Sequence, residues 1–249
     1  MLSEIRNGNF TSSEVYRLFK PGKAKGSWSV DCQTYIDECN RERRLLRSIE
    51  SEIDAKPTSW GKCVERRAFN VLGLEYTLCS DQTIQHHTIP FLVGSPDATT
   101  EIAVADLKSP LTLDSFCKMV DPYYDKQTGS LIHDGLTIEA LRENHKDGDK
   151  FYYQVLSNAI LTKKKKGQIL VYLPFEDELE EIRLLAEGIP EYYWIFYASN
   201  DKLPYLNRDG AYNNMNTIEF DILDREIKAF TERVLECGEK LVPFYKKAV

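Results

Sequence analysis

Two short motifs and the strand between them constrain this chain more than any other feature. Asp97, in Ser95-Pro96-Asp97, is followed nine positions later by Asp106-Leu107-Lys108, after the apolar run Ile102-Ala103-Val104-Ala105. Side chains alternate along a strand, so Asp106 and Lys108 share one face and Leu107 points to the other. A turn at Ser95-Pro96 returns Asp97 to the same place across a hairpin. Two carboxylates and an amine on one strand face have the chemistry to bind Mg²⁺ and activate water. Each motif alone is an ordinary turn or strand end. Their order and spacing, with a helical glutamate before and a glutamine after, give them meaning.

The 249 residues suit a single domain over 1–249, with a loop-rich insertion near 121–150 marked by Pro122, Gly129, Gly135 and Gly148. A hydrophobic content of 42% supports a packed core. No run reaches the length of a membrane span, and Met1 to Arg6 carry no apolar signal segment, so no membrane partner and a cytoplasmic location are expected. The six cysteines (Cys32, Cys39, Cys63, Cys79, Cys117, Cys237) form no CxxC pair, which argues against zinc or an iron–sulfur cluster and for reduced thiols. The net charge of −7 weighs mildly against nucleic acid, but only the charge near the phosphates matters.

Thr11 and Glu14 read as a capping box opening a helix from Ser12 to Phe19. A second helix is expected from about Asp31 to Ile53, ended by Pro57, and a third from Trp60 to about Leu72, capped by Thr58 or Ser59. Extended segments follow at about 75–79, 85–93 and 101–107. A short helix is expected near 137–144 and a longer one from about Lys150 to Leu161. Gln168 to Leu173, the aromatic run Tyr192 to Ala198, and Ile218 to Ile222 read as strands. Asp224 to about Tyr245 reads as an amphipathic helix with Ile227, Phe230, Val234 and Leu241 on one side.

Four pieces converge on phosphodiester hydrolysis: Gly61 to Glu65 on a helix, Pro96-Asp97, Asp106-Leu107-Lys108, and Tyr152-Tyr153-Gln154. Asp97, Asp106 and the Leu107 carbonyl offer oxygen ligands to Mg²⁺. Glu65 suits a second ion or an outer water, and Lys108 suits orienting the attacking hydroxide or stabilising developing charge. The plainer readings are a solvated Glu65 and a Gln154 that bridges in the core.

At these residues the sequence resembles the lambda exonuclease (YqaJ-like) branch of the PD-(D/E)xK nuclease superfamily. Thr11-Ser12-Ser13-Glu14-Val15 resembles the family's TASEV stretch, and Ser59-Trp60-Gly61-Lys62 through Glu65 its WGK..E helix. Gly94-Ser95-Pro96-Asp97 matches CSPDG with Ala98 for glycine, Asp106-Leu107-Lys108-Ser109-Pro110 matches ELKCP, and Tyr153-Gln154-Val155 matches the AQVQ helix. The likeness spans about residues 6 to 173.

The resemblance implies an α/β fold: a restriction-endonuclease-like core with a mixed central β-sheet flanked by helices. It implies a Mg²⁺-dependent exonuclease (two ions, with Mn²⁺ as the other candidate) acting 5′ to 3′ on linear double-stranded DNA and leaving 3′ overhangs for recombination. Implied partners are double-stranded DNA ends, a single-strand annealing protein and copies of the chain in a ring-shaped trimer. The implied setting is the cytoplasm of a bacterial or phage-infected cell. Asp97, Asp106, the Leu107 carbonyl and Glu65 would be metal ligands, Lys108 the catalytic lysine, and Gln154 a water- or metal-positioning residue. Arg6, Ser13 and Ser95 would hold the terminal 5′-phosphate. For Ser13, a helix N-terminus is itself a phosphate site.

The chain departs from the family pattern in places. Asp106 stands for glutamate, and Asp114 aligns with a phosphate-pocket arginine that Lys118 would have to replace. Lys163 to Lys166 read as a solvated turn or a DNA-backbone contact, and His86-His87 as surface or hairpin residues. The run Tyr192 to Tyr197 reads as a buried strand or a base-stacking platform. Trp60 belongs in the core or near the DNA end. Two other functions compete: an endonuclease of restriction or repair type, and a catalytically idle DNA-binding protein of the same fold.

Overall fold

β-Strand pairing around one buried, β-branched run organises the chain. The computed structural model describes residues 5–24, 26–49, 56–79 and 82–245. The first half holds β1 (Phe10–Thr11), a 3₁₀ turn over Val15–Phe19, α1 (Val30–Leu45), α2 (Lys56–Val71), β2 (Thr77–Leu78), β3 (Ile84–Gln85), β4 (Leu92–Gly94), β5 (Ala98–Thr99) and β6 (Ala103–Lys108). Then come α3 (Leu113–Val120), β7 (Tyr123–Tyr124), β8 (Leu131–His133), α4 (Ile138–Asn144), α5 (Gly148–Thr162) and β9 (Lys166–Tyr172). The chain continues through α6 (Leu179–Ala186), α7 (Tyr193–Phe196), β10 (Met215–Asp221) and α8 (Asp224–Gly238).

The central five-stranded sheet has the order β10-β9-β6-β5-β2. It is mixed: β6 and β9 run parallel, and the other pairs are antiparallel. β9 is buried along nearly its whole length, as expected for a strand covered on both faces. Its alternation sorts the two layers. Val104, Ile169 and Val171 pack with Val155, Leu156 and Ala159 of α5. Tyr172 packs on the other side with Trp60, Cys63 and Val64 of α2 and Leu179 and Ile182 of α6. Helices therefore flank a mixed sheet, as the sequence implies. Among the described residues no helix is long and apolar enough to cross a membrane.

Several expectations are corrected. Thr11 caps no helix: it is a strand residue paired with Val93, its N–H donates to Tyr35 Oη at 2.9 Å, and the following turn is 3₁₀, beginning at Val15. The second helix ends at Leu45, where Leu46 turns left-handed at φ 55°; Ile53 lies outside the described residues. The third helix begins at Lys56, so Pro57 sits in its first turn, where a missing N–H costs nothing. The stretch 85–93 is two short strands and a turn, and the final helix stops at Gly238.

Tyr192 to Ala198 is not a strand. A 3₁₀ turn at Pro190–Tyr192 leads into α7, with Tyr192 and Ile195 buried against α2 and Trp194 Nε1 donating to Ser59 Oγ at 2.8 Å. Aromatic β propensity yields here to tertiary packing, and proline opens the helical turn. The segment 121–150 carries the β7–β8 hairpin and α4.

Gly94 ends β4 just before Ser95-Pro96-Asp97 and allows a close approach. A Cβ there would lie 2.1 Å from Ser12 Oγ and 2.4 Å from Asn158 Oδ1, both fully or almost fully buried. Gly94→Ala is expected to cost about 1–3 kcal/mol by overpacking, read as a lower urea midpoint. An unchanged midpoint would show that Ser12 and Asn158 yield freely.

Candidate active site

The antiparallel register pairs Ala98 with Ala105, which sets Asp97 opposite Asp106 on one sheet face. Asp97 Oδ2 accepts the Leu107 backbone N–H at 2.7 Å. Asp106 is 1% exposed. Its Oδ1 accepts from Gln154 Nε2 at 2.6 Å, and its Oδ2 lies 2.5 Å from Lys108 Nζ with no well-directed hydrogen bond. Lys108 also donates to Gln154 Oε1 at 3.1 Å and sits 5.0 Å from the centre of the Phe151 ring. Gln154 thus bridges both partners, its amide nitrogen to the acid and its oxygen to the ammonium. Strand alternation puts Asp106 and Lys108 together, and α5 brings Gln154 over them because Val155, Leu156 and Ala159 bury against the same sheet.

The charges are out of balance. Burial and the Asp106 carboxylate, with Glu65 adding, push the Asp97 carboxyl well above the usual range, against the pull of Lys108 and the Leu107 N–H. Burial alone would lower Lys108, but Asp106 and Asp97 outweigh it and hold the ammonium above its ordinary value. Glu65 projects from α2 into the same cavity of about 210 Å³, alongside Asp97, Asp106, Leu107, Lys108 and Gln154. Among the described residues no three Asp, Glu, His or Cys side chains gather as a ready-made metal cluster. Mg²⁺ needs no such cage, since it keeps several waters and takes one or two carboxylates. The Asp106 and Asp97 carboxylates, opposite each other on one sheet face, fit that donor set.

Arg6, Ser13 and Ser95 line one larger cleft of about 860 Å³ with Asp97 and Gln154. Arg6 Nη2 donates to Ser13 Oγ at 3.4 Å, and Ser95 Oγ lies 3.1 Å from Thr83 Oγ1. The helix-terminus argument for Ser13 does not hold, because no α-helix starts there and Glu14 precedes the 3₁₀ turn. Asp114 stands outside this cleft; it pairs with Lys118 at 2.6 Å and lines a different cavity. Lys62 and Arg66 do line the cleft, and sequence reasoning passed over them. Their signal is helical spacing: Lys62 lies one turn before both Glu65 and Arg66, at i, i+3 and i, i+4.

The remaining candidates have structural partners. Lys164 Nζ donates to the Glu101 carbonyl at 2.8 Å, Lys165 pairs with Asp224 at 3.0 Å, and Lys166 pairs with Glu219. His86 and His87 stack at 4.7 Å, and His86 Nδ1 accepts the Thr88 and Ile89 N–H groups of a turn. Trp60 is fully buried in the α2 core.

No protein-family profile matches the sequence, and no curated protein matches it. Solved structures do match. A phage-related exonuclease from Haemophilus somnus 129PT superposes with a TM-score of 0.62 at 16% identity, over 93% of this chain and 92% of that one. The alkaline exonuclease LHK-Exo from Laribacter hongkongensis gives 0.55 at 16% identity, over 96% and 90%. LHK-Exo in complex with dAMP gives 0.56 at 14% identity, over 96% and 90%. The chain has the fold of these nucleases.

Asp97→Asn keeps an oxygen for the Leu107 N–H and removes the cost of holding a carboxyl, charged or protonated against its ordinary value, in this buried site beside Asp106. It is expected to raise the melting midpoint of the metal-free protein by about 2–4 °C, the shift that about 1 kcal/mol gives in a chain of this size. Mg²⁺ is expected to raise the wild-type midpoint and not that of the variant. A lower variant midpoint, or equal Mg²⁺ shifts, contradicts this account of the site.

Proposed function

We propose that the chain is a Mg²⁺-dependent exonuclease that digests linear double-stranded DNA from the 5′ end and leaves 3′ overhangs for recombination. The observation that carries this reading is the Asp97–Asp106 pair, braced by Lys108 and Gln154, beside a cationic cleft in a nuclease fold. One neighbour of that fold is an LHK-Exo complex with dAMP, a deoxynucleoside monophosphate of the kind exonucleases release.

Asp97, Asp106, the Leu107 carbonyl and Glu65 would hold the metal. When bound, Mg²⁺ lowers the pKa of water and neutralises charge at the phosphate. Water adds to phosphorus, the bond to the 3′ oxygen breaks, and that oxygen takes a proton as it leaves. Lys108, kept protonated by its carboxylates, donates to the phosphate oxygens as charge builds. Gln154 fixes the Lys108 and Asp106 rotamers so that neither drifts before attack. Arg6, Ser13 and Ser95 would take the terminal 5′-phosphate, with Lys62 and Arg66 adding positive charge. Polarity, a ring-shaped trimer and a single-strand annealing partner rest on the family resemblance. Six free thiols suit a reducing cytoplasm.

Linear duplex labelled at either end, with 5′-phosphate or 5′-hydroxyl termini, tests the reading in Mg²⁺ beside closed circles. Label is expected to leave the 5′ end first, circles to survive, and Lys108→Ala to lose about 10²–10³ in rate. Cutting of circles would establish the endonuclease instead. Absence of cleavage in both Mg²⁺ and Mn²⁺ would leave a DNA-binding protein.

A further inference from the structure

A second cavity, of about 780 Å³, adjoins the reacting centre. It shares Lys108 and Ser109 with the small carboxylate cavity, but it shares no residue with the cleft of Arg6, Ser13 and Ser95. The carboxylate cavity shares Glu65, Asp97 and Gln154 with that cleft. The centre therefore lies between two openings. If the terminal nucleotide occupies one, the strand that continues beyond the cleaved bond needs the other.

The second cavity suits a polyanion. Its lining includes four lysines (Lys108, Lys118, Lys146, Lys150) against two aspartates (Asp114, Asp147), in a chain of net charge −7. Lys118 is held by Asp114 at 2.6 Å and Lys150 by Glu14 at 3.2 Å, whereas Lys146 stands exposed on the rim. On the wall, Ser115 and His145 form a pair with fixed polarity. His145 Nδ1 accepts the Asp147 N–H at 3.1 Å, so the proton of the neutral ring sits on Nε2 and points at Ser115 Oγ, 2.8 Å away. Burial keeps that ring neutral, and Phe151 stacks on it at 5.3 Å. In this tautomer the histidine cannot deprotonate the serine. It occupies one of the oxygen's lone pairs and leaves the Ser115 O–H to donate outward. Ser109 Oγ, buried where the two cavities meet, has no hydrogen-bond partner.

We propose that this groove seats the DNA backbone on the 3′ side of the cleaved bond, with Lys146 on a phosphate and the Ser115 and Ser109 hydroxyls donating to phosphate oxygens. The proposal rests on the exonuclease reading for its direction. His145 acts as a positioning residue through Ser115.

The test uses the full chain in Ca²⁺, which slows cleavage, and measures affinity for a 5′-phosphorylated duplex across a salt series and for dAMP by competition. Lys146→Gln is expected to weaken duplex binding severalfold and to reduce the salt slope by about 1. Ser115→Ala is expected to weaken duplex binding while leaving the slope in place. Both are expected to keep wild-type affinity for dAMP, which reaches only the Arg6 cleft. Wild-type duplex affinity and slope in both variants would overturn the proposal, as would equal losses for duplex and dAMP. The nuclease reading is judged separately, by wild-type cleavage in Mg²⁺. A wild type that binds DNA through the groove without cutting it ends that reading and keeps the groove. A wild type that neither binds nor cuts ends both.

Discussion

A carboxylate at 1% exposure survives only in company, and Asp106 is such a group. Left alone it would cost several kcal/mol on the order of a buried unpaired ion. Lys108, two residues along the same strand face, and Gln154, from the helix over that face, supply the company at 2.5 and 2.6 Å. Each contact then fixes the next. The ammonium is aimed by the acid, the amide is oriented by both, and the Leu107 N–H draws in Asp97. The strand, its neighbour across the hairpin and α5 are locked together at one end of the sheet. Asp97, Asp106 and Glu65 line one cavity there with a single lysine, a donor set of the kind that Mg²⁺ takes.

Charge is arranged on a second scale. The chain carries −7, yet the two larger openings beside the centre are lined by more cations than anions. Arg6, Lys62 and Arg66 face one, and Lys118, Lys146 and Lys150 the other. A polyanion is steered by local potential, so an acidic protein can present basic walls where phosphates pass. The lysine run at 163–166, the most conspicuous basic segment in the sequence, does not line these openings; it is tied to Glu101, Asp224 and Glu219 at the far end of the sheet.

Period-2 alternation made the sheet face legible in the sequence: Asp106 and Lys108 together, Leu107 away, and Asp97 back across the turn. Gln154 was legible by its place on the helix after the sheet, and the structure brings it to both partners. The placement of Arg6, Ser13 and Ser95 in one cleft was legible only through family resemblance, because nothing local ties residue 6 to residue 95. Other features were hidden by tertiary forces. The aromatics at 192–197 look like a strand until α2 offers them a packed wall, and Thr11 looks like a cap until it falls opposite Val93 in a strand pair and Tyr35 Oη takes its N–H. Lys62 and Arg66 were readable on the Glu65 face of α2, but a charge on a helix says little until its surroundings are known. The Ser115–His145 pair, 30 residues apart, leaves no local sequence signal.

The position of a divalent ion decides whether this strand face is the reacting centre. Crystals soaked in Mn²⁺ and measured for anomalous scattering locate it directly. A peak about 2.0–2.2 Å from carboxylate oxygens of Asp97 and Asp106, and absent in Asp106→Asn, is the predicted result. A peak elsewhere, or none at a concentration that supports DNA cleavage, would contradict the central claim that this strand face is the reacting centre.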